Sequence, residues 1–384
     1  MTDPHLNEPA SNDPASGGSA LTELPSNESP SSVPTLRGPT LGGLTLKNPF
    51  LLAPMAGVTD WPYRLLCLEM GAAAAVSEMV SAVALSHRGR GTLKLLRTDP
   101  LWEKPFWVQL FGKDSESLAL AAKMAVEEAG ADLVDLNAAC PARKVVSSGH
   151  GGALLKNPDL CCRLVEAMAK AVEVPVTVKL RPGFSPEDGP AVMSLGLRLA
   201  DAGAKALILH GRYVTQQFGG EADWSLVEEL ASRVAVPVIG SGDITSADQA
   251  VKRLMDHHLP AVMIGRASRG RPWIFRECLS RLRNEEAPPA SLRERLNAAA
   301  RHARLLEEEI GPKVCFRLRT VLMWYTRDLP GAAKLRAGIC AEEDVNRQLD
   351  MLTRAMEEAM EAEARDSEED EKKADASADA LADA

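Results

Sequence analysis

Several signatures that would settle the class of this chain at once are missing. None of its seven cysteines forms a CxxC pair or stands at a zinc-ligand spacing from a histidine, and the odd count leaves no complete disulfide framework. No apolar run approaches the ~20 residues of a membrane-spanning helix. Residues 1–34 have neither the basic start nor the apolar stretch of a secretory leader. The expectation is a soluble protein of the reducing cytoplasm, without membrane contact, monomeric and with no obligate protein partner. A dinucleotide fingerprint is lacking too: the nearest match, GSGD at Gly240–Asp243, has no third glycine. No separate nicotinamide domain is therefore expected, and a nicotinamide reductant has to visit whatever site the chain already owns. No repeat of solenoid period is visible.

What is present is a chain of 384 residues, 45% hydrophobic, with enough apolar content for a large core. Its net charge of −9 is unevenly placed. Residues 357–384 carry net −9 and residues 1–36 carry net −5, so the stretch between them carries +5. One end is Ser/Pro/Asn-rich and the other Ala/Asp/Glu-rich, and both compositions are those of disordered tails, expected over residues 1–40 and 357–384. The mildly basic remainder is compatible with a polyanionic partner.

From Lys47 onward, short apolar runs suited to buried parallel strands alternate with segments of helical period, and each run stops at a polar or glycine residue. Eight such runs follow one another: FLLAP, AAVSEM, FWVQLF, LVDLN, PVTVKL, KALILH, VPVIGSGD and AVMIGR. Helices are expected between them, for example over Ser115–Gly130, Asp159–Val172, Ala191–Gly203 and Ser246–His257. Eight β/α units in about this length predict a TIM barrel over residues 41–284, with its active site at the carboxyl ends of the strands. An open doubly wound sheet is the alternative. After the break EEAPPA, residues 291–356 read as helical throughout and predict a small all-helical domain. Between Gly311 and Cys340 it holds Lys313, Arg317, Arg319, Arg327, Lys334 and Arg336 against a single acid, Asp328.

The strand ends carry the candidate chemistry. Ser241, Gly242 and Asp243, with Gly265 and Arg266, offer approachable backbone N–H groups and a cation where such barrels commonly hold phosphate, or else simply shape tight turns. Asp243 has the further option of capping the next helix, and Trp224 is expected to pack under a loop. Lys179 is a buried cation at a strand tip, which calls for an anion, either a bound one or a barrel carboxylate such as Glu78 or Asp135. Gln109 and His210 suit the polar edge of a planar heterocycle. Cys140 follows the fourth strand, and Pro141 disfavours a helical conformation for it. A buried inert thiol, a nucleophile and a proton donor all remain open there, with His150 the one histidine on the same loop.

In order and spacing, APMAGVTDWPYR, VSEMVSA, VQLFG, LNAACPARK, VTVKLRPGF, HGR, GSGDI and MIGRASRGRPWIF together resemble the tRNA-dihydrouridine synthases, most nearly the bacterial B-type subgroup. The resemblance runs from about Leu41 to Met351. It implies a barrel that binds flavin mononucleotide (FMN), a helical tRNA-binding domain, and NADPH- or NADH-driven reduction of the uridine 5,6 double bond in the tRNA D loop. Pro54, Met55 and Ala56 would then lie against the flavin, with Gln109 and Lys179 at its polar edge and His210 beside it. Ser241, Gly242, Asp243, Gly265 and Arg266 would hold the ribityl chain and phosphate. Cys140 would give a proton to carbon-5 after hydride from flavin N5 reaches carbon-6. Asn137 is the candidate for the uracil edge. Arg143 and Lys144 lie on a loop expected to close as a lid, and Arg212, Lys313, Arg317 and Arg319 would meet the RNA. An FMN barrel reducing a small molecule, such as a dihydroorotate or an enone, is the alternative enzyme; an RNA chaperone without chemistry is the non-enzymatic one.

Overall fold

The computed structural model describes residues 37–382. Eight strands form the barrel, each run predicted from the sequence supplying one: β1 (Phe50–Leu52), β2 (Ala74–Val76), β3 (Phe106–Phe111), β4 (Leu133–Asn137), β5 (Val176–Leu180), β6 (Ala206–His210), β7 (Val238–Ser241) and β8 (Ala261–Ile264). Each pairs in parallel with the next, and β8 returns to β1 through Val262 with Phe50 and Ile264 with Leu52. The ring therefore closes as a TIM barrel, in which each of these eight strands is paired on both sides.

Side-chain direction alternates along every strand. Leu51, Trp107, Leu133, Ile208, Ile239 and Met263 point inward and form one core cluster. Their neighbours Phe50, Val108, Val134, Val178, Leu207 and Val262 point outward and join the larger cluster beneath the helices. Leu41 and Leu46, from the hairpin that pairs Thr40–Leu41 with Leu44–Thr45, belong to the inner cluster and are fully buried. Gly38 already donates to Leu46 O, so the packed chain begins before the expected boundary at residue 41. The remainder of the expected N-terminal tail lies outside the described residues.

The outer layer consists chiefly of α1 (Trp61–Glu69), α2 (Ser115–Glu127), α3 (Pro158–Ala171), α4 (Val192–Asp201), α5 (Trp224–Arg233), α6 (Ala247–Asp256) and α7 (Ile274–Leu282). Asp114, Asn157 and Ser246 cap α2, α3 and α6, each accepting a backbone N–H from the first turn. Ser246 thus fills the capping role that the sequence also offered to Asp243. Trp224 starts α5, buried against Gly240 and stacked on His257 at 5.7 Å.

Beyond the barrel, α8 (Leu292–Ile310), α9 (Cys315–Tyr325), α10 (Ala332–Ala341) and α11 (Val345–Ala382) enclose a core of their own around Leu306, Leu318, Leu322 and Ile339. Ser291 and Glu294 form a reciprocal capping box at the start of α8. The last helix continues to Ala382, and Ala359 packs into this core. The domain docks on α1. Tyr63 stacks on His302 at 5.2 Å, and Arg317 donates to Gly57 O and Asp60 Oδ2 at 2.7 and 2.9 Å.

On the other side of α1, Arg64 and Glu103 are a fully buried ion pair; Arg64 also donates to Thr59 O and Arg97 O. Removing one partner strands the other charge. Glu103→Ala is expected to lower stability by about 3–5 kcal/mol in urea denaturation, and a loss below about 1 kcal/mol, the worth of an exposed pair, would contradict the pairing.

Candidate active site at the barrel mouth

The alternation that fills the barrel with apolar side chains turns polar at the carboxyl ends of the strands. The inward positions there are Gln109 on β3, Asp135 and Asn137 on β4, Thr177 and Lys179 on β5, His210 on β6 and Ser241 on β7. All but Asp135 and Thr177, which lie one layer deeper, line a cavity of about 790 Å³, within the ~300–1,000 Å³ usual for small-molecule sites. All eleven residues expected at a cofactor line it: Pro54, Met55, Ala56, Gln109, Lys179, His210, Ser241, Gly242, Asp243, Gly265 and Arg266. Cys140 and Asn137 line it as well. The other six expected site residues, Arg143, Lys144, Arg212, Lys313, Arg317 and Arg319, do not.

Lys179 makes no ion pair among the described residues, although it is only 8% exposed. Burial pulls its ammonium down to about 8, against a smaller favourable field from Asp135 and an adverse one from Arg181. The two carboxylates suggested for it are engaged elsewhere. Glu78 accepts from Gly57 N. Asp135 accepts from Thr177 Oγ1 at 2.6 Å and Gln109 Nε2 at 2.8 Å, while burial raises it to about 6. His210 is held neutral, driven down to about 2 by burial and then by Lys179, Arg181, Arg212 and Arg266. Its Nδ1 is buried without a partner. A cation without an anion and a ring nitrogen without a partner thus border one cavity.

Cys140 is half-buried and held from behind. Asn137 Oδ1 accepts the backbone N–H of Cys140 at 2.9 Å and of Ala139 at 3.1 Å, and Gly152 N donates to Cys140 O at 3.0 Å. Gly151 closes this turn at φ +59°, where a Cβ would lie 3.0 Å from Cys140 Cβ, so only glycine fits. Asn137 Nδ2 donates to Gln109 Oε1 at 2.9 Å. Its amide is therefore occupied in shaping the cysteine turn, not left free for a substrate edge. His150 turns away from the cavity, bonded to Ser148 Oγ and edge-on to Phe111.

Arg212 is likewise a scaffold residue and not an open contact. It is 3% exposed, donates to both oxygens of Asp243 at 2.6 and 2.7 Å, and holds Gly219 O and Gly220 O. Burial disfavours the Asp243 carboxylate, but these donors and the Ala222 N–H outweigh it and keep the group below its ordinary range. Gly242, at φ +128° between this pair and Ser241, has no room for a Cβ, which would fall 2.7 Å from Ala222 Cβ.

Residues that the sequence reading passed over also line the mouth. Arg181 is 2% exposed, donates to Tyr213 O at 2.8 Å and is brought down to about 10 by burial and by Arg212. It stands two residues after Lys179, at the next inward position of the same run, which was the available signal. Phe218, exposed at the rim, lies under the guanidinium groups of Arg266 and Arg181 at 4.8 and 5.8 Å. Arg269 completes a cationic rim together with Arg327, already counted among the basic residues of the helical domain and placed here on the loop after α9. Arg143 and Lys144 are exposed at the start of a short helix, Arg143–Ser147, immediately after the cysteine turn. Lys313 is exposed; Arg319 lies over Phe316 and donates to Glu342 O; Arg317 ties the helical domain to Asp60.

The family model "Dihydrouridine synthase" matches residues 51–362. Among curated relatives, tRNA-dihydrouridine synthase B of Xanthomonas campestris is 40% identical over 310 residues, 79% of this chain and 91% of that protein. The protein of the same name from Escherichia coli K12 is 37% identical over 310 residues, 80% and 95% of the two chains. Among solved structures, a 2-naphthoyl-CoA reductase complex superposes with a TM-score of 0.52 at 10% identity, over 65% of this chain and 52% of that one, a likeness of fold alone.

The buried ammonium sets a test. Its folded value lies below the ordinary 10.5, so between pH 8 and 10.5 the unfolded chain holds more protons than the folded one, and stability rises with pH across that window. In protein freed of bound small molecules, Lys179→Met is expected to raise stability at pH 7 by up to about 3 kcal/mol and to flatten the rise. A less stable variant with an unchanged pH profile would contradict an unpaired buried ammonium.

Proposed function

The chain belongs to the dihydrouridine synthase family, and on that premise we propose that it reduces the 5,6 double bond of uridines in the D loop of tRNA. In this reading it uses FMN recharged by NADPH or NADH and acts as a cytoplasmic monomer. The observation that carries it is the convergence of the unpaired Lys179 ammonium, the partnerless His210 Nδ1 and the Cys140 thiol on one cavity at the barrel mouth.

The lining suits a flavin. Lys179 supplies the positive charge that a reduced isoalloxazine ring, an anion, stabilises, and the neutral His210 offers a hydrogen bond to its polar edge. Gln109 keeps one N–H free beside them after donating to Asp135. Pro54, Met55 and Ala56 provide the apolar wall. Gly242 and Gly265 leave backbone accessible to a ribityl phosphate, with Ser241 and Arg266 next to them. Asp243 acts there through Arg212, fixing the loop that brings Phe218 to the rim. When bound, the reduced flavin supplies hydride to carbon-6 of uracil from its N5.

Cys140 then delivers its proton to carbon-5. It does so as a thiol, held at a fixed place by Asn137, so the proton comes from one side of the base and not from bulk water. The uridine has to leave the RNA stack to enter a cavity of this depth, and the rim accommodates what remains outside. Arg143, Lys144, Lys313, Arg319 and Arg327 meet phosphates in this reading, which makes the affinity salt-dependent. In this reading residues 291–356 form the domain that orients the tRNA, and Arg317 fixes it to the barrel instead of contacting RNA.

The reaction is read by mass spectrometry of dihydrouridine-free cellular tRNA incubated with NADPH and the purified protein. Wild type is expected to form dihydrouridine in the D loop, and Cys140→Ala to form it at least about 100-fold more slowly while retaining its flavin. A wild-type protein with bound, reducible flavin and no dihydrouridine would move the substrate to a small molecule.

A further inference from the structure

Beneath the cavity runs a chain of hydrogen bonds that ends at the cysteine. Trp107 Nε1 donates to Thr177 Oγ1 at 3.2 Å, and Thr177 Oγ1 donates to Asp135 Oδ1 at 2.6 Å. The other Asp135 oxygen receives Gln109 Nε2 at 2.8 Å. Gln109 Oε1 receives Asn137 Nδ2 at 2.9 Å, and Asn137 Oδ1 receives the N–H groups of Ala139 and Cys140. Gln109, Asp135 and Thr177 are register partners across β3, β4 and β5, so the chain crosses three strands at one level of the barrel.

Its members differ in one respect. The two amides in it can each be turned end for end at little steric cost, because their oxygen and nitrogen have nearly the same size. An ionised carboxylate has no such freedom, since it only accepts. Asp135 obliges Gln109 to present its NH₂, which leaves the Gln109 oxygen facing Asn137. Asn137 must then present its own NH₂ and keep its oxygen for the backbone of the cysteine turn. The backbone N–H groups at the far end are donors only, so the whole chain has a single consistent direction. Asp135 does not line the cavity and is 1% exposed.

We propose that Asp135 is a positioning residue for the reaction, whose carboxylate fixes the direction of this hydrogen-bond chain and thereby holds the Cys140 turn, and its thiol, in place. The inference rests on the role given to Cys140 above, but its first readout does not. Burial raises the Asp135 carboxyl, so keeping a charge there is unfavourable for folding alone, as expected of a group retained for direction.

The experiment measures alkylation of Cys140 by iodoacetamide, followed on its own peptide by mass spectrometry, beside thermal stability and dihydrouridine formation. Asp135→Asn is isosteric and removes a buried charge, so stability is expected to be unchanged or higher. Its amide, however, admits the reversed direction, which sets Asn137 Nδ2 against two backbone donors. Alkylation of Cys140 is expected to speed up at least fivefold and dihydrouridine formation to fall at least tenfold. Adding Gln109→Glu restores the order: Asn at 135 donates to the new carboxylate, which accepts from Asn137. Alkylation in D135N/Q109E is expected to return to within twofold of wild type.

A folded D135N chain with wild-type alkylation overturns the proposal, and so does a double variant whose thiol stays as reactive as in D135N. If D135N alone does not fold, a folded double variant with wild-type alkylation supports the role, and failure of both overturns it. Alkylation needs neither tRNA nor reductant, so absence of any dihydrouridine would count against the proposed reaction and leave this test standing.

Discussion

Closure of the eight parallel strands is the constraint from which the rest of the structure follows. Once β8 pairs with β1 each of the eight strands is paired on both sides, and every second side chain must point into a space too small for water. Most of that space is filled by residues such as Leu51, Trp107, Ile208 and Met263. At the carboxyl ends the same inward rows become Gln109, Asn137, Lys179, His210 and Ser241, brought from five strands to one cavity by strand geometry alone. These five are held precisely because they stand on the sheet, and the cysteine and glycine turns follow directly from its strand ends.

Within the cavity the polar groups divide into those that satisfy one another and those that do not. Around and beneath it, Asp135, Gln109, Asn137 and Thr177 bond to one another, with one Gln109 N–H left free, and Arg212 pairs with Asp243. Lys179, His210 Nδ1 and the Nε atoms of Arg181 and Arg269 are left over. Buried polar groups are ordinarily paired, because leaving one unmade costs about 1–3 kcal/mol. On the proposed reading the unpaired ones at the mouth are those that meet the ligand, and the paired ones hold the cysteine and the rim loop still.

Much of this was legible in the sequence, for a physical reason. A strand that ends in a polar residue announces both its length and its position at the mouth, so the eight runs disclosed the barrel and the residues around its cavity. Cys140 was legible because Pro141 and the glycines after it mark a shaped turn. What the sequence did not disclose was which polar groups would consume each other. The Arg212–Asp243 pair joins residues 31 apart, and Arg317 reaches Asp60 across 257 residues. No local pattern separates such a cation from one that faces solvent. The full engagement of the Asn137 amide was hidden in the same way, since it depends on β3 and on a turn three residues ahead. Arg181 was passed over although its inward parity was readable.

The most direct measurement concerns the flavin proposed for the cavity that Lys179 and His210 border. The purified protein is denatured, the released small molecule is identified by mass and absorbance, and the intact protein's visible spectrum is followed on addition of NADPH without oxygen. Expected is FMN at close to one per chain, with a flavin absorbance that bleaches. A colourless protein that takes up no added FMN would contradict the assignment of the barrel mouth as a flavin site, and with it the reaction proposed there.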